Sequence, residues 1–162
     1  MTGDTIEVTA VEVLDVRSDR LDAARKLISS AAKWSMAASL IPVPYLDMAT
    51  LATLQTRLIL NLAALYNQRL PKEAVSGVIS VLIGTLAPAG ASHVATSVLV
   101  KFMPGVGSLI GAASLAAFSS AATYAVGNVF VRHFESGGSY ASFSPKDVHA
   151  DLKKEFASAP GI

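Results

Sequence analysis

The sequence predicts an all-α fold: a small helical membrane domain with a central apolar helical hairpin, flanked by an amphipathic helix and a soluble C-terminal helix. Three observations predict it. Of 162 residues, 52% are hydrophobic and only 15% charged, well outside average soluble usage. Two stretches, 74–100 and 106–131, contain no Asp, Glu, Lys or Arg, and each is long enough as a helix to match the roughly 30 Å hydrocarbon thickness of a bilayer. Proline-containing breaks, Pro42 with Pro44, Pro71, and Pro104 with Gly105, separate the helical stretches, as helix punctuation does.

The first element is the least helix-like. Ile6, Val8, Val11 and Val13 half-alternate, which suits an extended or flexible arm over residues 1–20. The readings left open are a disordered tail and an arm that adds to a neighbour's edge. No basic stretch followed by an apolar run precedes it, so a cleavable signal peptide is not expected.

From Leu21 the spacing Leu21, Ala24, Ile28, Ala31, Ser35 sets an apolar stripe opposite Asp22, Arg25, Lys26, Ser29 and Lys33, an amphipathic helix. Trp34 follows its polar face, as in segments that lie at a membrane interface. Pro42 and Pro44 force a turn, since each removes a donor and holds the preceding residue extended. Asp47 then opens a helix with Leu51, Leu54, Leu58, Leu62 and Leu65 on one face. A polar break at 67–72 places Pro71 at the start of the next helix.

The 74–100 run is interrupted by Pro88-Ala89-Gly90 and is read as either a kinked span or a re-entrant hairpin. Pro104 and Gly105 punctuate next. Beyond them Gly107, Ser108, Gly111, Ala112, Ala116 and Ser120 form a small-residue face suited to close helix packing. Arg132 and His133 close this run, with Gly137 and Gly138 beyond. Ser144–Phe156 reads as a solvated helix, so the expected divisions are an arm at 1–20, a membrane-associated helical domain at 21–137, and a linker with a solvated helix at 138–162.

Four residues are candidates for a polar membrane site: Asp47, Arg57, Asn61 and His93. An ionisable group at membrane depth is costly and therefore a functional hypothesis. The competing reading for Asp47 is a helix N-cap, for Arg57 a side chain that snorkels to a headgroup, and for His93 a hydrogen-bonded core residue. No cysteine is present, and no phosphate loop, nucleophile elbow or metal-ligand spacing occurs. A non-enzyme without cofactor or metal is expected. Net charge is +1 with no basic stripe, which argues against nucleic acid.

Two stretches together resemble a known family. Leu40-Ile-Pro-Val-Pro44 with Asp47, Leu51-x-x-Leu54-Gln55 and Leu65-Tyr66 resembles its proline-rich first motif. Lys101-Phe-Met-Pro-Gly-Val-Gly107 through Thr123-Tyr-Ala-Val-Gly127 and Phe134 resembles its second. The family is the bacterial YcjF-like, GTPase-associated domain of unknown function. The resemblance implies a small helical membrane domain, found in some members beside a Ras-like GTPase; this chain has no phosphate loop of its own.

The functional expectation is a non-enzymatic inner-membrane scaffold or adaptor that self-associates as a homo-oligomer. It would meet the lipid bilayer and present cytoplasmic ends to a partner, such as a GTPase in another chain. Arg17, Arg20, Arg25 and Lys26 near one end and Arg132, Lys146, Lys153 and Lys154 near the other favour both termini in the cytoplasm. The alternatives are a small pore or transporter-like protein using the break at Pro88 to Gly90 with His93, and a soluble oligomeric bundle that binds membranes peripherally.

Overall fold

Helices begin and end where the backbone chemistry of the sequence dictates. In the computed structural model, backbone is described for residues 3–39, 46–100 and 107–160, and side chains for 12–38, 53–86, 113 and 115–160. The helices are α1 (Gly3–Ser39), α2 (Leu46–Leu65), α3 (Lys72–Val100), α4 (Gly107–Glu135) and α5 (His149–Ala157), with a short 3₁₀ turn at Tyr140–Ser142. Among the described residues there is no strand.

Two helix ends are closed by left-handed residues. Asn67 has φ 55°, and Gln68 N–H donates to the Ala63 carbonyl at 2.8 Å while Asn67 N–H donates to Ala64 at 3.1 Å. Gly137 has φ 80°, with Gly138 N–H on the His133 carbonyl at 2.9 Å and Gly137 N–H on Phe134 at 3.0 Å. Both are Schellman closures, which need a residue that accepts positive φ. At the start of α3 the Pro71 carbonyl accepts the first helical bond, from Val75 N–H at 3.1 Å.

α1 and α4 run antiparallel: Arg17 meets Glu135, Ile28 lies against Gly127 and Ser35 meets Thr123. α2 runs with α4, since Gln55 reaches Thr123 and Tyr66 packs on Phe134. The short 66–71 connection returns the chain into α3, which packs on α2, α4 and α5. An up-down-up-down bundle results. α4 is its hub, in contact with α1, α2, α3 and α5.

The core draws on one stripe from each helix: Ala24 and Ile28, Ile59 and Leu62, Val75, Ile79, Leu82 and Leu86, and Ala125 to Phe134 with Leu152. Packed into it is a small polar layer. The Thr123 hydroxyl donates to the Ser119 carbonyl at 2.8 Å, shares a 2.9 Å bond with the Ser35 hydroxyl, and accepts from Gln55 Nε2 at 3.4 Å. All three side chains are buried, so this layer sets the register of α1, α2 and α4, because a slip strands buried polar groups.

Three expectations are corrected. The arm over 1–20 is helical from Gly3 and continuous with the amphipathic helix. Extending an existing helix is cheaper than nucleating one, and no glycine or proline interrupts 4–39, so the β-branched residues are carried along.

The solvated tail is docked. The C-terminal helix starts at His149 rather than near Ser144, after a turn at 145–148, and buries Leu152 and Glu155 against α4. Asn128 Nδ2 donates to Glu155 at 2.9 Å, Arg132 pairs with the same carboxylate, and Phe156 packs edge-on against Phe118 at 5.4 Å.

The break at Pro88 and Gly90 does not divide α3, which is one 29-residue helix. One proline inside a helix costs about 3 kcal/mol, and the helical backbone continues through it. The re-entrant reading falls, and the single-span reading agrees with this helix. The turn residues Pro42, Pro44, Pro104 and Gly105 lie outside the described residues.

Among the described residues, no helix is long and apolar enough to cross a membrane. The lack of charge at Ala122, Ala125, Val126, Val129 and Phe130 of α4 has a local cause: these side chains are buried among the other helices.

Candidate functional site

The helix with the strongest leucine stripe carries its polar residues on the neighbouring face, and a groove separates that face from α1. Between α1 and α2 lies a cavity of about 390 Å³ lined by Leu27, Ser30, Ala31, Trp34, Leu54, Arg57, Leu58 and Asn61. Its floor is aliphatic and its rim polar. Trp34 is 66% exposed, unusual for so large an aromatic surface. Arg57 and Asn61 are exposed one turn apart, and Arg57 forms no ion pair with any described residue.

The buried Ser35–Thr123–Gln55 layer lies directly behind this groove, since Ser35 follows Trp34 and Gln55 precedes Arg57 by two positions. It holds the two walls at a set distance, so the groove is formed without a ligand.

A second cluster marks where α1 leaves the bundle. Arg17 Nε donates to Glu135 Oε2 at 2.7 Å, and the Arg20 guanidinium lies 5.2 Å from the centre of the Tyr66 ring, within cation–π range. The Tyr66 hydroxyl and Glu135 Oε1 are both buried, without a hydrogen bond of strict geometry, yet they remain close enough to influence each other's titration.

Burial, then the neighbouring Glu135 carboxylate, pushes the Tyr66 hydroxyl well above its ordinary range. For Glu135, burial acts upward as the largest single influence. Hydrogen bonding from Tyr66 and Arg17 and the charges of Arg17 and Arg20 together outweigh it, and hold the carboxyl below its usual value. Beyond this latch residues 12–19 are all exposed, including Val13, Leu14 and Val16.

A carboxyl whose pKa is lower in the folded state stabilises that state above its unfolded pKa, about 4.3. This contribution disappears as pH falls through the lower, folded value. Acidification below about pH 4 is therefore expected to free the outer part of α1 first, read as faster amide exchange over residues 12–20. Glu135→Gln should show that faster exchange already at neutral pH and no acid step; an acid step that survives the substitution would assign it to another carboxylate.

The sequence-expected sites divide. Arg57 and Asn61 come together on the groove. Asp47 is the second residue of α2 and His93 lies within α3, but the side chains of both are outside the described residues. Asp47 and Arg57 belong to one helix, about 15 Å apart along its axis, too far for a direct pair.

On the small-residue face, Ala116 and Ser120 are buried inside the bundle, and the side chains at Gly107, Ser108, Gly111 and Ala112 are outside the described residues. Among the described residues no group of three His, Cys, Asp or Glu is placed to hold a metal.

Sequence reasoning missed the latch and the buried polar layer. One signal for the latch exists: Glu135 is the sole acid between Glu73 and Asp147, and an isolated acid in an apolar region needs a partner.

Residues 6–158 match the family described as domain of unknown function (DUF697). Magnetosome membrane protein 22 of Magnetospirillum gryphiswaldense is 35% identical over 139 residues, covering 86% of this chain and 71% of that protein. No solved structure matches the chain.

Proposed function

The chain belongs to the DUF697 family, a domain of unknown function, and from that membership we propose that it is a non-enzymatic, membrane-associated scaffold or adaptor. It attaches to the bacterial inner membrane by one end of its bundle and offers the other to a protein partner. The observation that carries this reading is the segregation of charge along the bundle axis. Between Trp34 and Thr56 the only charged residue is Asp47, and between Ala74 and Val131 the only one is Lys101. These stretches include the end of α1, the start of α2, the end of α3 and the start of α4, which the up-down-up-down order of the helices puts at the same end. The opposite end carries the Glu135 latch, the 66–73 connection and α5.

An end whose sequence holds only Asp47 and Lys101 as charges and is rich in Pro, Leu, Ile, Met and Phe partitions into the interfacial region, and a Trp at its border suits the headgroup layer. Both termini then lie on one side, the cytoplasmic one. The 35% identical relative is by name a magnetosome membrane protein, which supports membrane attachment.

The adaptor part of the proposal rests on the outer half of α1. Val13, Leu14 and Val16 are exposed beside Glu12, Asp15 and Asp19, a helical segment that no described residue covers and a natural docking point for a protein such as a GTPase. Self-association is assigned to the Gly107 and Gly111 part of α4.

Cell fractionation tests the core of the reading. The protein is expected in the membrane pellet at physiological salt; recovery in the soluble fraction would overturn it. Gly107→Leu combined with Gly111→Leu should dissociate the detergent-solubilised oligomer, and an unchanged oligomer would exclude that face.

A further inference from the structure

We infer that the groove between α1 and α2 binds the phosphate-bearing headgroup of an anionic phospholipid, an inference that rests on the membrane-attached reading above. Charge is the first argument. No carboxylate lines the groove, and the charged residues of α1 from Arg25 to its end are Arg25, Lys26 and Lys33, all basic. The nearest acid on that helix, Asp22, is engaged by Arg25 at 2.9 Å. α2 contributes Arg57, a guanidinium without an ion-pair partner among the described residues. The chain as a whole is nearly neutral at +1, and Arg57 is the one charged residue that lines the groove, where its planar guanidinium suits two phosphate oxygens at once.

Shape and polarity supply the second argument. The cavity of about 390 Å³ is at the small end of ligand sites. It accommodates a phosphate with its glycerol, not a whole lipid. Asn61 and Ser30 supply polar hydrogen-bonding groups at the rim, and Leu27, Ala31, Leu54 and Leu58 provide an apolar floor for glycerol and the first methylenes.

A free inorganic anion would make no use of that floor or of the exposed indole of Trp34. Trp34 also stands at the border between the charged part of α1 and the charge-poor end of the bundle, the depth at which a headgroup would lie. The Ser35–Thr123–Gln55 bonds fix both walls in advance, so binding does not pay for ordering them.

Trp34 is the only tryptophan, so its fluorescence reports on this groove alone. The full chain is mixed with vesicles of phosphatidylcholine, with or without phosphatidylglycerol and with bromine-labelled acyl chains, and co-sedimentation is measured in parallel. Phosphatidylglycerol is expected to shift Trp34 emission to shorter wavelength and bring it within quenching range, with little response to phosphatidylcholine alone.

Arg57→Gln, at an exposed position, should weaken phosphatidylglycerol-dependent binding about fivefold, the effect of one basic contact at an anionic surface. Arg69→Gln removes an exposed cation elsewhere and should leave it unchanged. Equal loss in both variants, or equal response to both vesicle types, would overturn the assignment. A matching shift produced by inorganic phosphate alone would assign the groove to a free anion and overturn the lipid. Co-sedimentation with Trp34 emission unchanged would overturn the groove and leave membrane attachment standing, whereas no co-sedimentation would overturn both.

Discussion

Phe130→Ala is expected to lower folding stability by about 3–5 kcal/mol, the cost of emptying a large aromatic site in a close-packed core. Phe130 is fully buried. It stacks on Phe143 with ring centres 4.4 Å apart and planes within 5°, and it meets Phe134 at 5.9 Å, which in turn packs on Tyr66 at 5.5 Å. One side chain thus joins α4 to the segment that leads into α5 and, through Phe134, to the end of α2.

Domains of this size are held by about 5–15 kcal/mol in total, so the loss is a large fraction. Thermal unfolding should move down by roughly 6–20 °C, and urea denaturation should give the same change from the midpoint at constant slope. A shift of less than about 1 kcal/mol would mean that the aromatic ladder does not form the centre of the fold, since exposed substitutions fall in that range.

Gly127→Leu is expected to cost about 3 kcal/mol by overpacking the contact between α1 and α4. A Cβ at Gly127 would lie 2.7 Å from Ile28 Cγ1, 3.1 Å from Cδ1 and 3.3 Å from Cγ2, and the remaining leucine atoms have no space to enter. Replacing a mid-helix glycine ordinarily gains up to about 1 kcal/mol of helix propensity, so a measured loss identifies sterics as the cause.

The double variant with Ile28→Ala sharpens the test. Truncating Ile28 alone leaves a cavity costing about 2–5 kcal/mol, and adding leucine at 127 fills part of it. The pair should therefore cost less than the sum of the single changes. Strict additivity would show that the two positions do not touch.

The outcome at these residues explains what was legible in the chain. Gly127 and Phe134 sit in a stretch whose resemblance to a family was readable from its motif, and that family assignment holds over residues 6–158. Arg57 and Asn61 were legible as a polar pair because their spacing on a leucine-striped helix is a local property.

The third member of the groove, Trp34, was readable as an exposed aromatic beside a polar face, but its meeting with Arg57 was not. That meeting depends on how two helices cross after a turn. The Arg17–Glu135 latch joins residues 118 positions apart, and no periodicity encodes such a contact. The arm over 1–20 misled for the opposite reason: its valines have a local preference for extended backbone, which the adjoining helix overrides.

The sequence by itself determined the helical class, the polar break at 67–72, the glycine pair beyond Arg132 and His133, and the concentration of charge outside the two long apolar stretches. Each follows from short-range chemistry: the freedom of a φ angle, a missing donor, or the presence of a charge. Only the tertiary structure decided that the Ala122, Val126 and Phe130 stripe of α4 is buried among helices, that α5 is docked rather than solvated, and that Trp34, Arg57 and Asn61 share one groove. An uncharged Ala- and Ser-rich helix satisfies its own backbone whether its neighbours are lipid tails or other helices. Hydropathy therefore reports that such a surface is covered, and only the packing of Ile28, Leu62, Ile79 and Leu152 around it identifies what covers it.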